Sequence, residues 1–426
     1  MQRVNERNSV NVKKIYFWNI AGSVANALTS MILLMIVTRT SDSIHADMFS
    51  IGFALAQQFV TIGMFQVRNY QATDVKEKFV FKDYFSFRVL TCIVMTIVSM
   101  LYIFMKGYSL EKGGIVFLLC MAKVVEAFSD AYQGSFQQKE RLDIAGKTLA
   151  LRSVTNCLVF GITMVLFSNV LLAVCSMLIG SFSCYWFYER PRHRGLIKKT
   201  GLDYCLNIYI EKWKSIFRQC LPLFINGYLI MTIFNAPKNA IDNLCGQNPE
   251  LSGMQTDYNI LFMPAFVINM FMIFLRPYMT QMAYAWVNHQ SSRFRKLLAQ
   301  MIAGILAFSG VTMAGAYLLG IPVLGVVYGR DLSQYRPELL ILVLGGAFNS
   351  LATVFDNVIT VIRRQHHLVI SYVITWLMAQ GISRLMVVKQ GITGAALTFL
   401  FSMMLLTLCN MVILIFGLRR RKEKNE

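Results

Sequence analysis

Runs of about twenty predominantly apolar residues recur along this chain, and no other feature limits its fold as strongly. A helix needs about 20 residues to cross a hydrocarbon core about 30 Å thick, where every backbone amide must be satisfied within the segment. Twelve such runs are present, at about 14–38, 47–68, 85–106, 113–134, 149–167, 170–188, 217–236, 257–276, 297–319, 339–362, 368–388 and 391–417. They predict an all-α integral membrane protein with about 12 transmembrane helices. The composition agrees: 56% of residues are hydrophobic and 15% charged, against roughly 25% charged in soluble domains.

A net charge of +19 would fit a nucleic-acid partner if the basic residues were clustered on a soluble surface, but they are sorted by loop. With both termini in the cytoplasm, Lys and Arg favour the inner segments by about four to one, which is the positive-inside pattern. The outer segments hold only Arg39, Lys106, Lys112, Lys238, Arg330, Arg336, Arg384 and Lys389, and Lys123 stands mid-helix. The basicity therefore reads as topology and contact with anionic membrane lipids, not as a nucleic-acid footprint. Residues 1–14 are polar and basic, and the run after them is too long for a signal peptide's apolar core, so it reads as a retained first helix. Nine cysteines show no CxxC pair and read mainly as small buried hydrophobes.

The connection after the sixth run divides the chain. Residues 1–188 form a six-helix N-terminal bundle, 189–216 a basic cytoplasmic linker, 217–418 a six-helix C-terminal bundle, and 419–426 a basic cytoplasmic tail. Within the linker, Leu202, Leu206, Tyr209, Trp213 and Ile216 repeat at helical spacing opposite Glu211, Lys212 and Lys214. That pattern predicts an amphipathic helix in the inner headgroup layer.

Polar groups inside the runs mark candidate sites. In the fourth run, Lys123, Glu126, Asp130, Gln133 and Gln137 fall at i, i+3, i+7, i+10 and i+14. A charge at the bilayer centre costs about 2.5–3.5 kcal/mol on insertion scales, so such a stripe faces a pathway or a partner. Lys123 and Glu126 are spaced to pair, which would make them a structural salt bridge, but the stripe continues beyond them and favours a pathway. The first run carries Asn19, Ser23, Asn26 and Ser30 on one face, either as glue between helices or as the wall of a wet cavity. Ser50, Gln57 and Thr61 repeat this weakly in the second run, which ends at Arg68. The fifth and sixth runs read as apolar and lipid-facing. The seventh is interrupted by Pro222, Asn226, Gly227, Asn235 and Pro237, the kind of break that transporters place at binding sites and that structural helices also contain.

The two halves resemble each other. Arg276, at the inner end of the eighth run, matches Arg68. Asn349, Thr353, Asp356, Thr360 and Arg363 fall at i, i+4, i+7, i+11 and i+14, the same helical class of spacing as the fourth run, and aligning Asp130 with Asp356 also pairs Leu142 with Leu368 and Ile144 with Ile370. Repeats related by an axis along the membrane normal are a transporter signature, with the site between the repeats. Enzyme signatures are missing: there is no GxxxxGK[ST], GxSxG or HExxH, and the outer loops are short. The chain therefore reads as a non-enzyme without a cofactor, and a metal ligand set is not recognisable.

Three stretches, FWNIAGSVANALTSMILLMIVTR, FSIGFALAQQFVTIG and RNYQATDVKEKFVFKDYFSFR, resemble the N-terminal half of Wzx-type polysaccharide transporters. LPLFINGYLIMTIFNAPKNAID and FDNVITVIRRQ resemble helices 7 and 10 of the same family. These transporters belong to the multidrug/oligosaccharidyl-lipid/polysaccharide (MOP) flippase superfamily. The resemblance implies two pseudo-symmetric six-helix bundles of MATE-like fold in a bacterial cell membrane. It also implies translocation of undecaprenyl-diphosphate-linked oligosaccharide from the inner to the outer leaflet, for capsular or surface polysaccharide. In that setting Arg68, Lys123, Arg276, Asn19, Asn26 and Asn226 are candidate substrate contacts in a cation-lined cavity used by alternating access. Glu126, Asp130 and Asp356 are candidates for coupling to protons or sodium, or for balancing charge. A polysaccharide polymerase and other assembly proteins would be partners. The rival readings are a drug or organic-cation antiporter of the same fold and, behind it, a membrane enzyme of polysaccharide assembly.

Overall fold

The computed structural model describes residues 2–74, 78–139, 141–197, 210–362 and 364–425. Every regular element among them is helical. In the order α1 to α8 these are Gln2–Thr40, Ser43–Met64, Val67–Thr73, Phe81–Met105, Leu110–Gln138, Leu142–Phe167, Val170–Ser183 and Arg190–Ile197, with the last two joined through a π-helical turn, Cys184–Glu189. Then follow α9 Ile210–Gln247, α10 Met254–Met270, α11 Met272–Val287, α12 Ser291–Gly315, α13 Ile321–Tyr328, α14 Arg336–Val361 and α15 Leu368–Asn425.

Eight helices among the described residues are long and apolar enough to cross a membrane. The last, Gln365–Leu418, is two spans in one: Gly391 has φ 56° and ψ −129°, a conformation that only glycine adopts readily. The predicted spans that fail this measure are polar or broken. The first is α2 with Asp47, Gln57 and Gln58; the second is α5 with Glu111, Lys112, Lys123, Glu126 and Asp130; the third is the α10–α11 pair, interrupted at Phe271. The twelve predicted crossings are thus present as helices, and the chain is a multi-pass membrane protein.

Two compact units divide the chain, Met1–Tyr228 and Leu229–Glu426. The division falls inside α9, which runs unbroken past Pro222 and Pro237. In the first unit α1 packs on α6, α2 on α4 and α5, and α7 on α5 and α6. The α1–α6 crossing depends on Gly22 and Gly146, because a Cβ on Gly22 would strike the Gly146 carbonyl and one on Gly146 the Trp18 carbonyl. In the second unit α14 is central and packs on α10, α12 and α15.

The linker stripe is only partly described. Leu202, Leu206 and Tyr209 lie outside the described residues. Ile216 is fully buried among Phe65, Val67, Tyr84 and Phe87 of the first unit. Trp213 Nε1 donates to Ser86 Oγ at 3.0 Å, and Lys212 pairs with Asp83 at 2.8 Å. The start of α9 is therefore docked on protein rather than resting in headgroups alone.

The internal repeat has a structural counterpart. Leu142 and Leu368, aligned by sequence, are the first residues of α6 and α15. In the first unit the α2–α3 break precedes Arg68, as in the second the α10–α11 break precedes Arg276.

Candidate functional site

A charged seam crosses the first unit, and it begins with a backbone kink. Phe65 and Gln66 have φ of 43° and 54°, unusual for residues with side chains. The Phe65 ring stacks on Phe224 at 4.3 Å and on Phe217 at 5.2 Å, contacts that hold the strained turn in place. The turn directs Arg68 at α5. Its Nη1 donates to Gln133 Oε1 at 2.8 Å and to Asp130 Oδ1 at 3.3 Å, while Nε donates to Gln137 Oε1 at 3.2 Å. Three members of the predicted α5 stripe thus converge on the predicted arginine.

Asp130 also meets a second arginine. Arg88, fully buried on α4, donates from Nη2 to Asp130 Oδ2 at 3.0 Å and from Nη1 to the Gly63 carbonyl at 2.7 Å. One carboxylate is clamped between two guanidiniums, an arrangement in which each charge-assisted bond depends on the other partners. In the sequence Arg88 ends a basic, aromatic stretch that reads as interfacial, and only the packing of α4 reveals its role.

Further along α5, Ser129 Oγ donates to Glu189 Oε1 at 2.6 Å, and Gln133 Nε2 donates to Ser129 Oγ at 3.3 Å. Lys123 pairs with Glu126 at 2.8 Å, with its Nζ 5.2 Å from the centre of the Phe53 ring. Arg152 of α6, 5% exposed, acts electrostatically on both Glu126 and Glu189. The expectation that the fifth run is apolar and lipid-facing is therefore corrected at Arg152, and Glu189, the first residue after the sixth run, joins it. The outer faces of these runs are exposed, but Arg152 and Glu189 project inward, where protein partners can satisfy them as lipid cannot. A lone arginine in LDIAGKTLALRSV was the available signal. The seam combines four cations (Arg68, Arg88, Lys123, Arg152) with three carboxylates (Glu126, Asp130, Glu189).

The remaining predicted residues lie apart from it. Asn19 is half-buried and its carbonyl accepts from Ser23 Oγ at 2.8 Å; Asn26 is exposed. No hydrogen bond among the described residues ties either side chain to the seam. Asn226 Oδ1 is buried without a hydrogen-bond partner. Arg276 is on α11, but its side chain lies outside the described residues, as does Arg363. In the second unit Asp356 Oδ2 accepts from Tyr372 Oη at 2.7 Å, and Oδ1 is buried with no hydrogen bond. The two aligned aspartates thus differ: Asp130 is held by two cations, Asp356 by a neutral hydroxyl. Among the described residues no group of three His, Cys, Asp or Glu side chains is arranged to hold a metal ion.

Where α1 turns into α2, ahead of the second apolar run, His45 bridges two acids. Nδ1 lies 2.6 Å from Asp42 and Nε2 3.0 Å from Glu111, at the start of α5. Burial opposes charge on the imidazole, but the two carboxylates outweigh it and raise the His45 pKa. Asp42 is lowered, chiefly by the His45 backbone amide. A raised histidine stabilises fully below its unfolded value near 6.5 and stops doing so as pH rises through the folded value. The lowered Asp42 contributes above 3.8 and loses that contribution as pH falls through its folded value. The thermal midpoint of the wild type should therefore fall relative to His45→Gln between about pH 6 and pH 8. Parallel midpoint curves for the two proteins would show that the bridge contributes nothing.

No protein-family profile matches the chain. It is similar to the capsular polysaccharide biosynthesis protein CapF of Staphylococcus aureus, 19% identical over 394 residues that cover 91% of this chain and 96% of the relative. Among solved structures, an inward-facing multidrug resistance MATE family transporter of the MOP superfamily superposes with a TM-score of 0.69 at 13% identity, covering 94% of this chain and 98% of that one. The Vibrio cholerae MATE transporter VcmN, in an aspartate-to-asparagine variant, gives 0.63 at 12% identity, covering 97% and 98%. A MOP superfamily transporter from Pyrococcus furiosus, described as having a binding pocket of reverse polarity, gives 0.57 at 13%, covering 97% and 96%. The chain is thus a multi-pass membrane protein with the fold of the MATE transporters of the MOP superfamily.

Proposed function

We propose that the protein is a flippase that moves an undecaprenyl-diphosphate-linked oligosaccharide from the inner to the outer leaflet for capsular or surface polysaccharide synthesis. The observation that carries this reading is the seam in the first unit, where cations outnumber carboxylates inside a membrane domain. A diphosphate crossing hydrocarbon needs such cations, and guanidinium groups match phosphate oxygens in geometry as well as charge. The transporter fold and the similarity to a capsular polysaccharide biosynthesis protein support the same assignment.

The seam divides the labour among its arginines. Arg68 is partly exposed, with 29% of its side chain accessible, so it can exchange Gln133 and Gln137 for phosphate oxygens. Arg88 is inaccessible and holds Asp130 in place, which gives Asp130 the charge-balancing role rather than the coupling one. Lys123 is the second substrate cation, released from Glu126 as the diphosphate passes. Arg276, Asn19, Asn26 and Asn226 belong to the proposal as contacts for the rest of the substrate. Asp356, with one oxygen unpartnered, is the group proposed to take up a coupling proton or sodium ion during alternating access. A polymerase would receive the product in the outer leaflet.

A cation antiporter of the same fold is the second reading, and the polarity of the seam weighs against it: an organic cation would be repelled by Arg68 and Lys123. The experiment is mass spectrometry of diphosphate-linked oligosaccharides from cells lacking the gene, with surface polysaccharide assayed in parallel. Complete repeat units should accumulate while surface polymer disappears, and the wild-type gene should reverse both. Unchanged intermediates together with altered sensitivity to cationic drugs would overturn the flippase reading in favour of the antiporter.

A further inference from the structure

A second basic site lies outside the seam, at the end of the first unit where α5 gives way to α6. Arg141, just ahead of α6, and Asp143 and Lys147, from its start, face Tyr188 and Arg192, from the π turn and α8, across a pocket of about 280 Å³. That is just below the roughly 300–1,000 Å³ typical of a site for a whole drug-sized ligand, and suits a headgroup better than an oligosaccharide.

The walls are preorganised. Arg141 is fixed by a two-pronged pair with Asp143, at 2.9 and 3.1 Å. The Arg192 guanidinium lies 3.3 Å from the centre of the Tyr188 ring and donates to the Tyr188 carbonyl at 3.4 Å. Lys147 Nζ sits 5.3 Å from the centre of the Trp18 ring. Three cations and one carboxylate leave the pocket with two uncompensated positive charges, carried by side chains that already hold their positions.

What adjoins the pocket indicates the ligand. From Lys147 along α6, Leu151, Val154, Leu158, Ile162 and Val165 follow at i+4, i+7, i+11, i+15 and i+18, and all are exposed apolar side chains. This stripe continues along one helix face directly from the basic pocket. Beside it, exposed Trp186 and Phe187 precede Tyr188, and Arg190 stacks on Trp186 at 4.1 Å. Aromatic rings and cations in this combination mark the interface between headgroups and acyl chains.

We propose that this pocket binds the phosphate of an anionic membrane phospholipid, between Lys147 and Arg192, with an acyl chain lying along the α6 stripe from Leu151 to Val165. The site is separate from Arg68 and its partners, and binding to it does not depend on what the protein transports.

The test uses the full-length protein purified in a neutral detergent and titrated with phosphatidylglycerol, phosphatidylethanolamine or inorganic phosphate, with bound lipid counted by native mass spectrometry. Phosphatidylglycerol should bind more tightly than phosphatidylethanolamine. Lys147→Gln and Arg192→Gln should each weaken phosphatidylglycerol about 5-fold, following the usual contribution of a basic residue near a membrane surface, with the wild-type melting temperature retained. Either single variant suffices if the other fails to fold. Equal binding of the two lipids, or phosphatidylglycerol binding unchanged in both variants, would overturn the proposal. Competition by inorganic phosphate at concentrations comparable to the lipid would show that the pocket takes a free phosphate, and the lipid assignment would fall.

Discussion

Asp130→Asn should cost the protein about 3–5 kcal/mol of stability, the range for removing one member of a buried ion pair. Asparagine keeps the size and one acceptor oxygen but withdraws the charge that Arg68 and Arg88 share at 3.3 and 3.0 Å. Arg68 can turn toward solvent. Arg88 cannot: it is fully buried, and its remaining partner is the Gly63 carbonyl. The variant should accumulate poorly and unfold at a markedly lower temperature in detergent. Adding Arg88→Met should recover much of the loss, because an apolar side chain leaves no unpaired charge behind. A single variant as stable as wild type would mean that water or lipid headgroups already neutralise Arg88, and the clamp would not be a structural element.

On the proposed flippase function, Lys123→Ala should reduce transport about tenfold or more, the loss of one charge-assisted contact to the substrate. Protein levels should change little, because Glu126 retains the charge of Arg152 nearby. The exchange Lys123→Glu with Glu126→Lys separates the two roles of the pair. It preserves an i, i+3 ion pair but moves the cation by one helical turn. Normal accumulation with transport still impaired would place the cation in the pathway. Normal transport in the exchanged protein, or disappearance of the Lys123→Ala protein from membranes, would make the pair a structural lock and remove Lys123 from the transport reading.

Much of the seam is legible in the sequence. Lys123, Glu126, Asp130, Gln133 and Gln137 stand out because ionisable and amide side chains are rare in apolar runs and share one helical face. Arg68 was legible as a cation at the end of such a run. Arg88, Arg152 and Glu189 were not, each for a physical reason. Arg88 stands at the very start of the third run and Glu189 just past the end of the sixth, where a charge is ordinarily solvated and carries no information. Arg152 is the single charge in the fifth apolar run, without a periodic partner inside it to give it a direction. The sequence pairing of the aspartates puts Leu142 and Leu368 at the starts of α6 and α15, yet Asp130 has two guanidiniums and Asp356 a tyrosine hydroxyl.

By itself the sequence determined that this chain is a helical membrane protein with about twelve crossings and a polar face on the fourth. These follow from rules local to a segment: hydrocarbon forces each run to satisfy its own backbone bonds, and 3.6-residue periodicity places side chains on faces. Tertiary structure alone decided which cation answers which carboxylate, that Arg88 is inaccessible while Arg68 is not, and that the start of α6 and the π turn with α8 line one open basic pocket. Those outcomes depend on distances between helices far apart in the chain. An ion pair's strength is set by a few ångströms and by the exclusion of water, and neither quantity is written in residue spacing.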